Sequence, residues 1–198
     1  MKNEILEKGY ASFDITNEEE LNLLSLIYDK ISKDNFHTLK VSYNDIKSDH
    51  YVPYDSFSNL NKVKNEILTK DNLAQIWFAT YDKSNEVSNL LKSVFSKYYD
   101  NTDIQILDSI TLYNEGCFIV PHIDGKDLNR IAGILIYLNK DYNEQNGGNL
   151  ILKNEIKIIP EYGRVVIIDY TQNSVEHEVT KVIEGERYAI CAFIHKKQ

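Results

Sequence analysis

Apolar positions recur along this chain with two different periods, and the change from one to the other divides it. In ITNEEELNLLSLIYDKI, Leu21, Leu24, Ile27, Tyr28 and Ile31 fall at the spacing of one helix face, which predicts a helix over about 17–32. Thr16 followed by Glu19 is a capping-box signature at its start. SNEVSNLLKSVFSKYY, residues 84–99, sets Val87, Leu90, Leu91, Val94, Phe95 and Tyr98 on one side and predicts a second helix. Between them, residues 33–72 are polar, rich in Asn and Tyr and weakly periodic. They read as long loops with room for a short strand or helix, and such loops often carry binding function. LAQIWFATY, residues 73–81, predicts a strand.

From about residue 103 the pattern becomes β-branched runs broken by turn signals. Strands are predicted over 104–114, 118–123, 130–138, 149–153, 155–159, 164–169, 174–179 and 187–195, with turns at Asn146-Gly147-Gly148-Asn149 and Glu161-Tyr162-Gly163. Helices first and a dense set of short strands afterwards indicate an α+β fold, a double-sheet barrel or jelly roll supported by N-terminal helices. At 198 residues the expectation is a single domain, with 1–102 supplying helical support and substrate loops and 103–198 the jelly-roll core.

Composition narrows the partners more than the fold. The net charge of −8 argues against nucleic-acid or anionic-membrane binding, because phosphates repel an acidic surface. Cys117 and Cys191 form neither a disulfide framework nor a CxxC site, which fits a reducing compartment. MKNEILEKGY has no apolar core region of the kind a signal peptide needs, and no run approaches the ~20 apolar residues that span a bilayer. The expected location is cytoplasmic.

The candidate chemistry sits in the strand-rich part. His122-Ile123-Asp124 puts two metal-ligating side chains two residues apart, on the same face of a strand. His177 follows 177 − 124 = 53 residues after the aspartate, and Arg187 ten residues beyond that. Two histidines and one carboxylate leave three positions open on an octahedral ion, the facial triad of non-heme Fe(II) oxygenases. An arginine just after the last histidine suits the carboxylate of an oxo-acid co-substrate. A closed structural zinc site would need four ligands and is disfavoured. Of the five histidines, His37, His50 and His195 have no evident ligand partner, and His195 reads as solvated. Cys117 and Cys191 sit in strand patterns and read as small core residues; Trp77, Phe78 and Phe193 read as core, and the KNEIK run at 153–157 as a solvated hairpin. Arg130 reads equally as a surface charge.

The stretches LYNEGCFIVPHID (112–124), IYLNKDYNEQNGGNL (136–150), GRVVIID (163–169) and HEVTKVIEGERYAI (177–190) resemble the prolyl-hydroxylase branch of the 2-oxoglutarate- and Fe(II)-dependent dioxygenases, which includes the oxygen-sensing prolyl hydroxylases. The resemblance covers about 103–195 and implies a double-stranded β-helix, a cupin-like jelly roll. It implies that His122, Asp124 and His177 bind Fe(II), that Arg187 and Tyr137 hold the distal carboxylate of 2-oxoglutarate, and that Tyr113 lies beside the co-substrate. A guanidinium fork suits such a bidentate contact. Related halogenases carry Gly or Ala in place of the aspartate, so Asp124 implies hydroxylation. The implied reaction consumes O2 and 2-oxoglutarate, releases succinate and CO2 and hydroxylates an aliphatic C–H bond, with ascorbate as an accessory reductant. The implied substrate is a prolyl residue of a protein or peptide; a free amino acid or a natural-product intermediate is the alternative, and a non-catalytic binding domain of the same fold is the alternative of another class. Arg130, with Tyr43, Tyr51 and Tyr54 from the 33–72 stretch, are the candidate substrate contacts.

Overall fold

The computed structural model describes residues 5, 7–32, 37–42, 73–80, 85–99, 103–124, 129–153, 155–171 and 175–197, with 37–42 and 73–80 described as backbone strands. Helix α1 runs Glu18–Asp29 and helix α2 Asn85–Ser96. The cap of α1 corrects the Thr16–Glu19 expectation: Asn17, not Thr16, is the N-cap, and its side chain accepts from the Glu20 amide at 3.1 Å. Asparagine is the stronger cap of the two neighbours, so the helix starts one residue later than the motif suggests. Asn17→Ala is expected to cost about 1 kcal/mol of stability, read as a lower urea midpoint with an unchanged slope. Glu20 does not reach back to the cap; it is buried and accepts from Ser93 Oγ at 2.7 Å and Lys97 Nζ at 2.6 Å, which ties α1 to α2.

Among the described residues, eleven strands form one antiparallel sheet. They are β1 (Tyr10–Asp14), β2 (His37–Ser42), β3 (Leu73–Thr80), β4 (Ile104–Tyr113), β5 (Phe118–His122), β6 (Arg130–Tyr137), β7 (Leu150–Leu152), β8 (Ile156–Ile158), β9 (Arg164–Asp169), β10 (His177–Val179) and β11 (Arg187–Lys196). The order is β1-β9-β6-β11-β4-β3-β5-β10-β7-β8, with β2 also on β3. Strand β3 joins two wings: its residues 78–80 pair with β4, while 75 and 76 pair with β5.

Period-two alternation decides which residues face which layer. On β11, Tyr188, Ile190, Ala192 and Ile194 join Leu24 and Ile27 of α1 and Leu90, Val94 and Phe95 of α2 in one buried cluster. The other face supplies a second cluster, in which Tyr113, Tyr137, Val166 and Ala189 of the first wing meet Leu150, Leu152 and Val179 of the second. The wings therefore close on each other as a double-stranded β-helix, and the helices cover the outside of the longer wing. Among the described residues no helix is long and apolar enough to cross a membrane.

Three further points depart from the sequence reading. Strand β1 was not anticipated, because YASFD buries one small residue, Ala11, and is held by its register with β9 from Tyr10↔Ile168 to Asp14↔Arg164. His195 is buried, since β11 runs on through Lys196 and pairs His195 with Gln105 and Arg130. Cys117 is buried as expected but sits in the turn before β5, where its amide bonds to the Asn114 carbonyl.

Candidate active site

Strand pairing carries His122 to His177. His122 ends β5, His177 begins β10, and the two are register partners, which places their ring centroids 4.3 Å apart. Each Nδ1 lies at hydrogen-bond distance from the carbonyl two residues earlier, Val120 for His122 (2.9 Å) and Val175 for His177 (3.0 Å). A carbonyl only accepts, so each Nδ1 carries the proton and each Nε2 presents its lone pair to the cavity. Asp124 lies past the end of β5 and completes the group: Oδ1 is 3.6 Å from Nε2 of His122 and Oδ2 3.8 Å from Nε2 of His177. One ligand atom from each of the three lies within 4.8 Å of the others.

Three converging donors in a buried site call for a cation. Burial pushes the Asp124 carboxyl up, but the His177 charge, the bond to His122 and the Tyr170 hydroxyl outweigh it and hold it well below the usual carboxylate range. Burial lowers His122, yet its bond to and charge interaction with Asp124 raise it on balance, whereas burial dominates at His177 and lowers it. The site is built to hold positive charge between the histidines and the aspartate. Two imidazole nitrogens and a carboxylate oxygen suit a divalent first-row metal with open positions.

The same cavity holds Arg187, 1 % exposed, at the start of β11 and opposite Tyr113. Its guanidinium carbon lies 4.8 Å from the Tyr113 ring centroid and 4.9 Å from that of Tyr137, and Nη2 donates to the Tyr137 hydroxyl at 3.3 Å. Its Nε has no hydrogen-bond partner among the described residues, and no carboxylate among them pairs with the guanidinium. Such a cation, deep in an apolar wall, fits an anionic ligand that arrives from the cavity. Burial raises the Tyr137 phenol, so it stays protonated, and with Arg187 on its oxygen its own proton can point at that anion.

The Gly147-Gly148 pair makes room for this pocket. A Cβ at Gly147 would sit 2.1 Å from the Lys181 carbonyl oxygen, and one at Gly148 2.9 Å from both Arg187 Cδ and the Tyr142 hydroxyl; both glycines have positive φ. The turn can therefore press against the Lys181–Ile183 segment and leave Arg187 its place only without side chains.

Residues 109–195 match the model of the 2OG-Fe(II) oxygenase superfamily, a span that includes His122, Asp124, His177 and Arg187. The chain resembles the 2-oxoglutarate- and Fe(II)-dependent oxygenases of the prolyl-hydroxylase branch. No curated protein sequence matches it significantly. Among solved structures, a Pseudomonas putida prolyl-4-hydroxylase aligns at a TM-score of 0.66 and 13% identity, over 98% of this chain and 96% of that one. The viral collagen prolyl hydroxylase of Paramecium bursaria Chlorella virus-1, in its 2OG complex, aligns at 0.56 and 14%, over 96% and 97%. A Trichoplax adhaerens prolyl hydroxylase, in complex with a hypoxia inducible factor oxygen degradation domain peptide fragment, aligns at 0.52 and 17%, over 90% and 91%. At these identities the structural matches establish the double-stranded β-helix fold.

Tyr170 was not anticipated from the sequence. It follows β9, continues the inward row of Val166 and Ile168, and donates a hydrogen bond to Asp124 Oδ2. Arg130 is not a surface charge: it is buried, with its guanidinium carbon 4.0 Å from the Phe193 ring centroid and 5.7 Å from that of Tyr170. Phe193 is half-buried and lines the cavity rather than the core, as does Cys191, whose thiol burial and the Asp124 charge push up to about 12. Tyr43, Tyr51 and Tyr54 lie outside the described residues, as do Trp77 and Phe78 beyond their backbone.

Proposed function

We propose that this protein is a 2-oxoglutarate- and Fe(II)-dependent dioxygenase that hydroxylates an aliphatic C–H bond, with a prolyl residue of a protein or peptide as the preferred substrate. The carrying observation is that one cavity joins a His-Asp-His cluster to a buried arginine lacking a carboxylate among the described residues. His122 Nε2, His177 Nε2 and Asp124 would hold the iron; Arg187 and Tyr137 would hold the distal carboxylate of 2-oxoglutarate, beside the Tyr113 ring. Once bound, iron and 2-oxoglutarate supply the oxidising chemistry, with O2 consumed and ascorbate as the accessory reductant. The chain's residues do the rest. Val120 and Val175 fix the histidine tautomers, so each Nε2 stays available. Leu150, Ile168 and Val179 wall the cavity against bulk water. Phe193 lines the cavity and Arg130 packs over its ring, and these two are the described candidates for substrate contact.

The prolyl preference rests on the prolyl hydroxylases among the structural neighbours, one of them in complex with a peptide fragment. The test is succinate release from Fe(II), 2-oxoglutarate and O2, with proline-containing peptides, their alanine variants and free amino acids offered in parallel. Turnover stimulated by the prolyl peptides, with one oxygen atom gained at proline, is expected. Stimulation by free amino acids alone would move the substrate to the small-molecule class. No succinate with any substrate, despite metal and 2-oxoglutarate binding, would favour a non-catalytic binding domain. A cytoplasmic location is part of the same proposal.

A further inference from the structure

We infer that Tyr170 is a positioning residue that makes Asp124 a one-oxygen ligand, and that the missing side chain of Gly133 is what lets it do so. The inference rests on the metal and co-substrate reading above and goes beyond it.

Tyr170 reaches the aspartate through three features of β9 and β6. Its amide bonds to the Ile131 carbonyl at 3.1 Å, extending the β9–β6 ladder one residue past the strand end. The Asp169 carboxylate turns the chain there by accepting from the Thr171 amide at 2.8 Å and the Thr171 hydroxyl at 2.7 Å. Alternation then sends Tyr170 inward, where its ring crosses the place a side chain at residue 133 would take. A Cβ built on Gly133 would sit 2.8 Å from the Tyr170 hydroxyl and 3.1 and 3.3 Å from its ring carbons. The φ of Gly133 is not positive, so its backbone does not require glycine. The ring does.

The consequence is one of counting. Two histidines and one carboxylate oxygen occupy three positions of a six-coordinate ion and leave three, two for a chelating oxo acid and one still open. A carboxylate that chelated through both oxygens would take the open one. The Tyr170 hydroxyl occupies Oδ2, while Oδ1 faces Nε2 of His122 at 3.6 Å. A phenol donor seated on Oδ2 by the geometry of β9 and β6 holds that division.

Mn(II) serves as the probe, because water bound to it accelerates the relaxation of bulk water protons. With Mn(II) and 2-oxoglutarate bound, wild type is expected to retain an inner-sphere water contribution. Tyr170→Phe keeps the ring and removes the donor, and should lose most of that contribution while the melting temperature of the metal-free protein stays near wild type. Gly133→Ala keeps the hydroxyl but displaces it, and should reproduce the loss; it carries the test if Tyr170→Phe does not fold. Altered outer-shell support commonly changes metal affinity by about 10–100-fold, and chelator competition should detect such a change in both variants. Wild-type relaxation and wild-type affinity in both would overturn the role of Tyr170. A wild type that binds Mn(II) but whose relaxation does not respond to 2-oxoglutarate would instead sink the co-substrate reading, and this inference with it.

Discussion

Arg187→Ala is expected to weaken 2-oxoglutarate binding by about 2–5 kcal/mol, the range for removing one partner of a buried, hydrogen-bonded charge pair. The lower end is roughly 30-fold in Kd. Titration of 2-oxoglutarate into Mn(II)-loaded protein reads this directly, with Arg187→Lys falling between, because an ammonium keeps the charge and loses the fork. The sign of the stability change separates this role from a structural one. In the ligand-free protein Arg187 is a buried cation with no carboxylate partner among the described residues. Replacing a buried charge with an apolar side chain of similar size is often neutral or stabilising. Arg187→Met should therefore melt no lower than wild type without ligand, yet lose the rise in melting temperature that 2-oxoglutarate gives wild type through mass action. If Arg187→Met binds 2-oxoglutarate like wild type, the anchor lies elsewhere. If it unfolds, the arginine is a core element.

The long wing was legible because its strands alternate strongly. Ile134 and Ile136 of β6, Val165 and Ile167 of β9, and Tyr188, Ile190 and Ile194 of β11 all face the helices, each separated by an inward neighbour. The triad and Arg187 were legible because few residue types serve those roles, although Asp124 lies beyond β5 and is not carried by strand alternation alone. What escaped depends on tertiary context. β1 buries only Ala11 fully, with Tyr10 and Phe13 half-buried, and is held in place by its pairing with β9. Arg130 and His195 look like solvated polar residues until β6 and β11 bring them side by side. Tyr170 belongs to no motif; its signals were the spacing of Val166, Ile168 and Tyr170, and a glycine, Gly133, in the middle of an otherwise branched strand. An isolated strand glycine marks a close approach, and here the approaching group is the Tyr170 ring.

The largest loss is expected from His177→Ala. It removes one of three ligands, and the strand register offers no replacement: its cross-strand partner His122 is already committed, and its other register partner is Leu152. Two remaining donors cannot hold a divalent ion against a chelator, so metal content after dialysis with a competing chelator should fall to background and succinate formation with it. The folding consequence is smaller in metal-free protein. In the metal-free protein His177 lends charge to Asp124, and once it is removed the aspartate still keeps the Tyr170 hydroxyl and the neighbouring His122. Metal-free His177→Ala should remain folded, while the rise in melting temperature that wild type shows with Mn(II), which follows the ratio of free metal to Kd, should vanish. His122→Ala is expected to lose the metal in the same way. A His177→Ala protein that retains metal at wild-type affinity would remove the triad, since nothing else among the described residues groups three ligating side chains there.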